Sequence, residues 1–307
     1  MRHKGNATSA LLQRNMKIFL RDRGAVFFSL LSMLIVLVLM LLFLGSMNSD
    51  TIVGLLETYG GERDRAADRA NADHLVLVWA LAGILLVNCV TVTMTVLGNL
   101  IHDEEEGKLA SFYIAPVSRA RITLGYILSA WIIGTGMSLF TLLVGNLLLI
   151  LNGGGLSVKV CLMLAGMILA NSFLYAALSY LFSLFVHSSG AWNGLLTVSG
   201  TLVGFLGGIY LSMEVLPKKV CTVLKVLPVL HGASMMRRVS VQEALTETFA
   251  GVPQAVAEGY CEGMGITVSV NGEILSVSMQ LLFVILLGIG ITVISSLISM
   301  RRAVRDR

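Results

Sequence analysis

Long apolar runs alternate with short polar segments along the whole chain. A window of about 19 residues finds six runs, each long enough to cross a hydrocarbon core of about 30 Å at about 1.5 Å per helical residue. These runs are residues 26–47, 75–98, 122–151, 158–186, 191–213 and 279–300. The pattern predicts an all-α membrane protein with six transmembrane helices. They would form one domain over 26–300, between an N-terminal segment, 1–25, and a basic tail, 301–307.

Composition supports a membrane protein and excludes a separate soluble domain. Charged residues make up 13% of the chain and hydrophobic residues 56%, whereas an average soluble domain has about 25% charged residues. No segment between the apolar runs approaches the usual domain size of about 100 residues. We therefore expect the lipid bilayer, and no nucleic acid, to be the chain's environment.

The distribution of Lys and Arg predicts the orientation. Segment 1–25 carries six basic residues and the tail 301–307 carries four. Because positive charge near span ends favours the cytoplasmic side, both termini are predicted to be cytoplasmic in the cell membrane. Loops 48–74 and 214–278 would then be external.

Two amphipathic patterns accompany the spans. In residues 10–23, Leu12, Met16 and Phe19 recur at helical spacing and basic residues occupy the other side, which predicts a helix along the inner membrane surface. A positively charged flank without helical structure is the alternative. In segment 214–278, Pro217 and Pro228 enclose an apolar stretch too short to cross the bilayer, which favours a re-entrant or interfacial helix.

The rest of the external segment contains a turn signal and two cysteines. Asn271-Gly272 lies within alternating apolar and polar residues, which predicts a small external β-hairpin. Cys221 and Cys261 are both predicted to be external, where an oxidising compartment would permit a disulfide, although the spacing does not require one. No Cys/His cluster indicates a metal site.

The motifs of membrane hydrolases are missing from the sequence. Neither HExxH nor GxSxG occurs, and Glu105-Glu106 lacks the Arg that an intramembrane EExxxR protease motif requires. Ionisable residues, the usual markers of intramembrane catalysis, are almost absent from the predicted spans. We therefore predict no catalytic residues in this chain.

Uncharged polar residues form a stripe on each of two predicted spans. Such stripes suit a weakly polar path for an amphipathic substrate. Alternatively, each side chain bonds to its own helix or to a neighbour, contributing about 0.6 kcal/mol. The stripes consist of Asn88, Thr91 and Thr95 in the second span and Asn193, Thr197 and Thr201 in the fifth.

The fifth span also contains a repeat of small residues. Gly200, Gly204 and Gly208 form GxxxGxxxG, one turn apart on a single helix face. Small residues let two helix backbones approach closely, so this face is a candidate for packing against another helix or another subunit.

The stretch IHDEEEGKLASFYIAPVSR, residues 101–119, is predicted to be a short cytoplasmic helix over 103–115. Its acids at 103–106 would occupy the first turn, where carboxylates complement the helix dipole. Leu109, Phe112 and Tyr113 would form an apolar face, and Pro116 would end the helix. The alternative is a solvated turn.

Residues in this stretch and elsewhere resemble a known family. EEGKLASFYIAPVSRARITLGYIL, residues 105–128, is similar to the Glu-Glu-Gly, Leu, Pro-x-Ser-Arg and Gly pattern of ABC-2 type permeases, the membrane subunits of type V ABC transporters. The start RNMKIFLRDRGAVFFSLLSML and the segment MEVLPKKVCTVLKVLPVLHGASMMRR agree with it. The resemblance covers nearly the whole chain.

The resemblance implies specific roles for these segments. Residues 8–23 would be the connecting helix and 103–115 the coupling helix that docks on an ATPase. The second and fifth spans would line the path at a dimer interface, and the Pro217 to Pro228 segment would close it outside. The residues implied in coupling are Glu105, Glu106, Leu109, Phe112, Tyr113, Pro116 and Arg119.

The resemblance also implies the composition of the transporter. Since the chain has no GxxxxGK[ST], ATP and Mg would bind on separate ATPase subunits, and this chain would bind no cofactor itself. A complex of two permease chains, identical or different, with two ATPases is expected. It would export amphipathic or hydrophobic compounds such as drugs, lipids or peptides. An ABC-type ion exporter, or a channel or sensor of another class, remains as an alternative.

Overall fold

The computed structural model describes residues 7–39, 45–114, 117–207, 213, 217–270 and 272–305. This part of the chain is mainly helical, with one small hairpin. Its elements are α1 (Ala7–Arg21), α2 (Arg23–Leu39), α3 (Gly45–Tyr59), α4 (Arg65–Glu105), α5 (Lys108–Ile114), α6 (Arg119–Leu151), α7 (Val158–Ser183), α8 (Ser189–Leu206), α9 (Lys218–Leu224), α10 (Pro228–Ser240), α11 (Gln242–Thr248), α12 (Gln254–Gly263), β1 (Ser269–Val270), β2 (Glu273–Ile274) and α13 (Val277–Arg305).

The four helices α4, α6, α7 and α13 are long and apolar enough to cross a membrane. They coincide with four of the predicted spans, so the chain is an all-α membrane protein. The two remaining predictions fall on shorter helices, α2 with 17 residues and α8 with 18. Residues 40–44 and 208–212, which those predicted spans include, lie outside the described residues. The total of six spans therefore stays a prediction.

Helix α4 forms the centre of the bundle. It packs against α6, α7 and α8, and also contacts α2, α3, α10 and α11. Trp79, Leu85 and Leu97 are almost completely buried along its length. Its 41 residues span about 60 Å, twice the hydrocarbon thickness of about 30 Å. The helix is therefore longer than one crossing of the membrane core requires.

Small residues set the spacing between α4 and α6. A Cβ atom at Gly134 of α6 would lie 2.5 Å from Thr93 Cγ2 of α4, which is too close for any larger side chain. A Cβ atom at Gly145, further along α6, would likewise lie too close to Leu81 Cδ1. The two longest helices thus approach more closely than larger side chains would allow.

The segment that follows α8 contains the short helices α9 and α10. The stretch between Pro217 and Pro228 forms only the seven-residue α9, whose Val223 is 60% exposed. The helix that packs into the bundle is α10, which begins at Pro228 and lies against α4, α7 and α13. Gly232 makes this possible, because a Cβ atom there would lie 2.5 Å from Asn171 Oδ1 of α7.

The hairpin is present as predicted, with β1 antiparallel to β2 and Gly272 in the left-handed region at φ 86°. Asn271, the other predicted turn residue, lies outside the described residues. Cys221 and Cys261 are not joined by a disulfide in the structure.

The end of α4 nearest this segment is anchored to it. The Trp79 indole N–H donates to the Met264 carbonyl at 2.9 Å, and the Arg237 guanidinium lies 4.4 Å from the centre of the indole ring. Arg237 is completely buried, and burial lowers its pKa to about 9. A buried cation over an aromatic face is a stabilising arrangement.

Candidate functional site

At the other end of α4, a buried carboxylate joins three helices. Asp103 is 3% exposed and accepts two hydrogen bonds from the Arg14 guanidinium of α1, at 2.5 and 2.6 Å. The Tyr126 hydroxyl of α6 donates to the same carboxylate at 2.6 Å. We call Arg14, Asp103 and Tyr126 the polar cluster. The hydrogen bond to Asp103 raises the pKa of Arg14, so the guanidinium keeps its positive charge.

Helix α1 packs along α6 through a face that overlaps the predicted one. Of the predicted residues, Phe19 is buried and Leu12 and Met16 are partly buried, while Leu11 and Asn15 are buried beside them. Asn15 Nδ2 donates to Ser129 Oγ at 3.1 Å. The helix itself is confirmed, but its rotation follows this hydrogen bond and the Arg14 ion pair as well as the apolar spacing.

The acidic run at 103–106 was assigned to the wrong helix. Helix α4 continues through Glu105, so the acids form its last turn and not the first turn of the next helix. Gly107, with φ 69°, follows the C-cap Glu106 and ends the helix in the conformation that glycine tolerates best. The predicted coupling helix therefore begins at Lys108, not at residue 103, and is seven residues long.

Two of these acids contact the start of α8. Glu105 accepts hydrogen bonds from the Ser189 backbone N–H at 2.6 Å and from the Ser189 hydroxyl. Glu104 lies 2.9 Å from the ring Nδ1 of His187, in the link between α7 and α8. A carboxylate at a helix N-terminus complements the dipole, so the acids do stabilise a helix start, but that of α8.

The predicted docking surface on α5 is only partly available. Leu109 is 6% exposed and packs into the core of the chain. Phe112 is half-buried, with the Arg14 guanidinium 5.6 Å from its ring centre. Glu106 is exposed and paired with Lys108, whose hydrogen bond lowers the pKa of Glu106.

The other residues predicted for coupling lie around this surface. Arg119 is the first residue of α6, directly after Ser118. The side chain of Tyr113 and the whole of Pro116 lie outside the described residues. The described part of the surface thus consists of the exposed side of α5 and the turn that precedes it.

A second feature is a groove of about 470 Å³ between α2, α4 and α8. We call it the threonine groove, because four of the six predicted path residues lie in it. No ionisable side chain is among the described residues that line it. The lining consists of Ala25, Phe28, Ser29, Val87, Thr91, Thr95, Leu196, Thr197, Gly200 and Thr201.

The threonine hydroxyls of the groove donate to their own helices. Thr91 donates to Val87 O at 3.0 Å and Thr197 to Asn193 O at 2.9 Å. Thr95 and Thr201 repeat this pattern one turn further along. Because a hydroxyl has one donor and two acceptor sites, each oxygen can still accept a hydrogen bond from a ligand.

The two asparagines of the predicted path are not part of the groove lining. Asn88 is 4% exposed and donates to Thr141 Oγ1 of α6 at 2.6 Å, so it belongs to the contact between α4 and α6. Asn193 is exposed on α8, outside the groove. Spacing alone placed Asn88 on the threonine face, whereas its partner lies on a distant part of the sequence.

The predicted glycine repeat is partly used within the chain. A Cβ atom at Gly200 would lie 3.4 Å from Thr91 Cγ2, so Gly200 faces α4 at about van der Waals distance. Gly204 is buried, and Gly208 lies outside the described residues. The other face of α8 is exposed, with Val198 at 54% and Leu202 at 48%.

Comparison with known families decides the assignment. The family model described as ABC-2 family transporter protein matches residues 70–300. The chain belongs to the ABC-2 transporter family. No match is found among curated proteins. As an ABC-2 permease, the chain is a multi-pass membrane protein and the transport subunit of an ABC transporter.

The most tightly bonded residues of this ABC-2 permease were missed in the sequence. Arg14, Asp103 and Tyr126 were not predicted to meet, although they form the polar cluster. The signal available was Asp103 at the start of an acidic run, shortly after an apolar run, and an arginine on an amphipathic helix. Both patterns are common on exposed helix ends, so neither identifies its partner.

Proposed function

We propose that this permease moves amphipathic or hydrophobic compounds out of the cell along the threonine groove, driven by ATP hydrolysis on separate subunits. The observation that supports this proposal is the lining of the groove. It offers hydroxyl oxygens and apolar surface, and its described residues include no ionisable side chain. A drug, lipid or peptide with few charges loses little hydration free energy on entering such a site. A bare ion would lose its hydration without compensation.

A second permease chain would complete the path. The groove is bounded by α2, α4 and α8, and the face of α8 beyond it exposes Val198 and Leu202. A second chain against α8 would bury these side chains and enclose the groove. Two ATPase subunits, each binding ATP and Mg, would then act on the two coupling helices from the cytoplasmic side.

The contacts at the end of α4 support a route from ATPase to groove. The ATPase would contact α5, which joins α4 through Gly107. A displacement of α5 would move the end of α4, where Asp103 is bonded to α1 and α6 and Glu105 to the start of α8. Because α4 and α8 form two walls of the groove, such a movement would change its width.

The test is a groove-filling substitution in the purified complex of permease and ATPase. Gly200→Leu places a side chain in the groove, and Gly166→Leu is the matched control, since no atom lies within 4 Å of its added Cβ. In proteoliposomes, rhodamine 6G and a fluorescent short-chain phospholipid are assayed for stimulation of ATP hydrolysis and for export. We expect at least one probe to be active with the wild type and the control, and inactive with Gly200→Leu.

Two results would contradict the proposal. Copurification of the full chain without any ATPase would remove the energy source. Stimulation by inorganic ions, with neither amphipathic probe active, would favour the alternative of an ABC-type ion exporter.

A further inference from the structure

A separate groove lies where α1, α5 and the start of α6 meet. It has a volume of about 240 Å³, and its apolar walls include Leu11, Phe112, Val117 and Ile122. Arg14 and Arg121 supply its charged groups. We call it the interfacial groove. It does not share lining residues with the threonine groove.

The two arginines of the interfacial groove differ in their charge compensation. Arg14 is bonded to the Asp103 carboxylate, so its charge is neutralised within the chain. Arg121 is exposed, and no carboxylate of the described residues lies within ion-pair distance of it. The groove therefore presents apolar walls beside one positive charge that the described chain leaves uncompensated.

The position of the groove favours a lipid over a soluble ligand. Helix α1 is amphipathic, with Lys17 and Arg21 exposed and Leu11 and Phe19 buried, as expected for a helix in the membrane interface. The predicted third span begins at Ile122, in the first turn of α6. The groove thus lies at the boundary between headgroups and acyl chains. This step rests on the proposed topology, which places α1 at the cytoplasmic leaflet.

We propose that the interfacial groove binds one anionic phospholipid of the inner leaflet. The phosphate would pair with the Arg121 guanidinium, whose planar donors match phosphate oxygens. The first part of one acyl chain would lie against Leu11, Phe112, Val117 and Ile122. Because about 240 Å³ is less than the roughly 300–1,000 Å³ of sites that enclose drug-sized ligands, the rest of the chain would remain in the bilayer.

Such a lipid would touch the connecting helix, the coupling helix and a span at once. Leu11 belongs to α1, Phe112 to α5 and Ile122 to α6. Its binding would favour the arrangement in which these three helices are packed together. The anionic lipid content of the membrane would then influence the position of α5.

The test measures lipid binding by the full chain, with its ATPase where the two copurify, and does not require transport. Delipidated protein is titrated with phosphatidylglycerol or phosphatidylcholine and examined by native mass spectrometry. Arg121→Gln is expected to weaken the tightest phosphatidylglycerol site about fivefold, since one basic residue near an anionic surface contributes about a factor of this size. Arg121→Lys should retain part of the affinity. Arg301→Gln, an exposed arginine at the end of α13, is the control.

Filling the groove provides a second variant. Val117→Trp places a large side chain against Leu11 and Ile122 and is expected to remove the site while leaving the melting temperature of the protein near that of the wild type. If Val117→Trp fails to fold, Arg121→Gln alone decides the question, because an exposed arginine is not needed for folding.

Three outcomes would overturn the proposal. Equal affinity for phosphatidylcholine and phosphatidylglycerol would show that the site does not recognise the headgroup charge. Competition by water-soluble glycerophosphoglycerol as strong as that by the intact lipid would indicate a free-anion site. An equal loss of affinity in Arg121→Gln and Arg301→Gln would indicate general electrostatic attraction. None of these depends on whether the threonine groove carries substrate.

Discussion

A single buried carboxylate joins α1 and α6 to the end of α4, next to the helix α5 that is predicted to meet the ATPase. Asp103 satisfies its oxygens with donors from Arg14 and Tyr126, which come from the first and sixth helices. A buried charge is tolerated only when paired and hydrogen-bonded, so these donors are a condition for placing Asp103 there. The residue is therefore expected to affect both folding and coupling.

Asp103→Asn is expected to lower the free energy of unfolding by about 2–3 kcal/mol. Breaking a fully buried ion pair costs roughly 3–5 kcal/mol, and the cost is smaller here because the Arg14 side chain keeps 30% exposure. Thermal unfolding of the detergent-solubilised protein checks this. Combining Asp103→Asn with Arg14→Gln should cost less than the sum of the single changes, by about 0.5–3 kcal/mol. Strictly additive losses would mean that the pair is not coupled.

At the scale of helices, the sequence predicts which segments are helical better than it predicts the residue at which each helix ends. The apolar runs identified α4, α6, α7 and α13, and the amphipathic spacing identified α1. The end of α4 was missed because three acids at a helix C-terminus oppose the dipole and normally mark a helix start. They are stabilised there by Arg14 and Ser189, which are far away in the sequence.

The same limitation applies to the candidate path. Thr91, Thr95, Thr197 and Thr201 were predictable because helical spacing places them on one face of each span. Asn88 was not, because its contact with Thr141 depends on the rotation of α4 against α6. Spacing along one helix contains no information about which neighbour covers a given face.

The contact between the end of α4 and the start of α8 gives a prediction at this scale. Glu105→Ala removes the acceptor of the Ser189 N–H and hydroxyl, so α8 loses its carboxylate cap. We expect transport per ATP hydrolysed to fall roughly two- to thirtyfold, the range of coupling changes caused by residues between sites. Glu57→Ala is the matched control, because Glu57 is an exposed acid that pairs with Arg65 and lies outside the predicted docking surface. Equal effects of the two variants would remove the role assigned to Glu105.

At the scale of the whole molecule, α4 is anchored at two distant levels of the bundle. Trp79 anchors it to the segment around Met264, and Asp103 anchors it to α1 and α6. The 24 residue steps from Trp79 to Asp103 correspond to about 36 Å of continuous helix. A movement at one anchor would therefore reach the other without an intervening loop.

A double variant with a change at each anchor tests whether α4 only supports the bundle or also transmits a movement. Trp79→Phe keeps an aromatic ring but replaces the buried indole by a smaller phenyl and removes the donor to the Met264 carbonyl, at an expected cost of at least about 1–2 kcal/mol in unfolding free energy. Because the anchors are far apart, the stability effects of Trp79→Phe and Asp103→Asn should add within about 0.5 kcal/mol. The effects of the two changes on transport per ATP hydrolysed should not combine independently. If both anchors bias one two-state movement of α4, the double variant loses less coupling than the product of the single losses. Transport losses that simply multiply would mean that α4 supports the bundle but does not carry the movement.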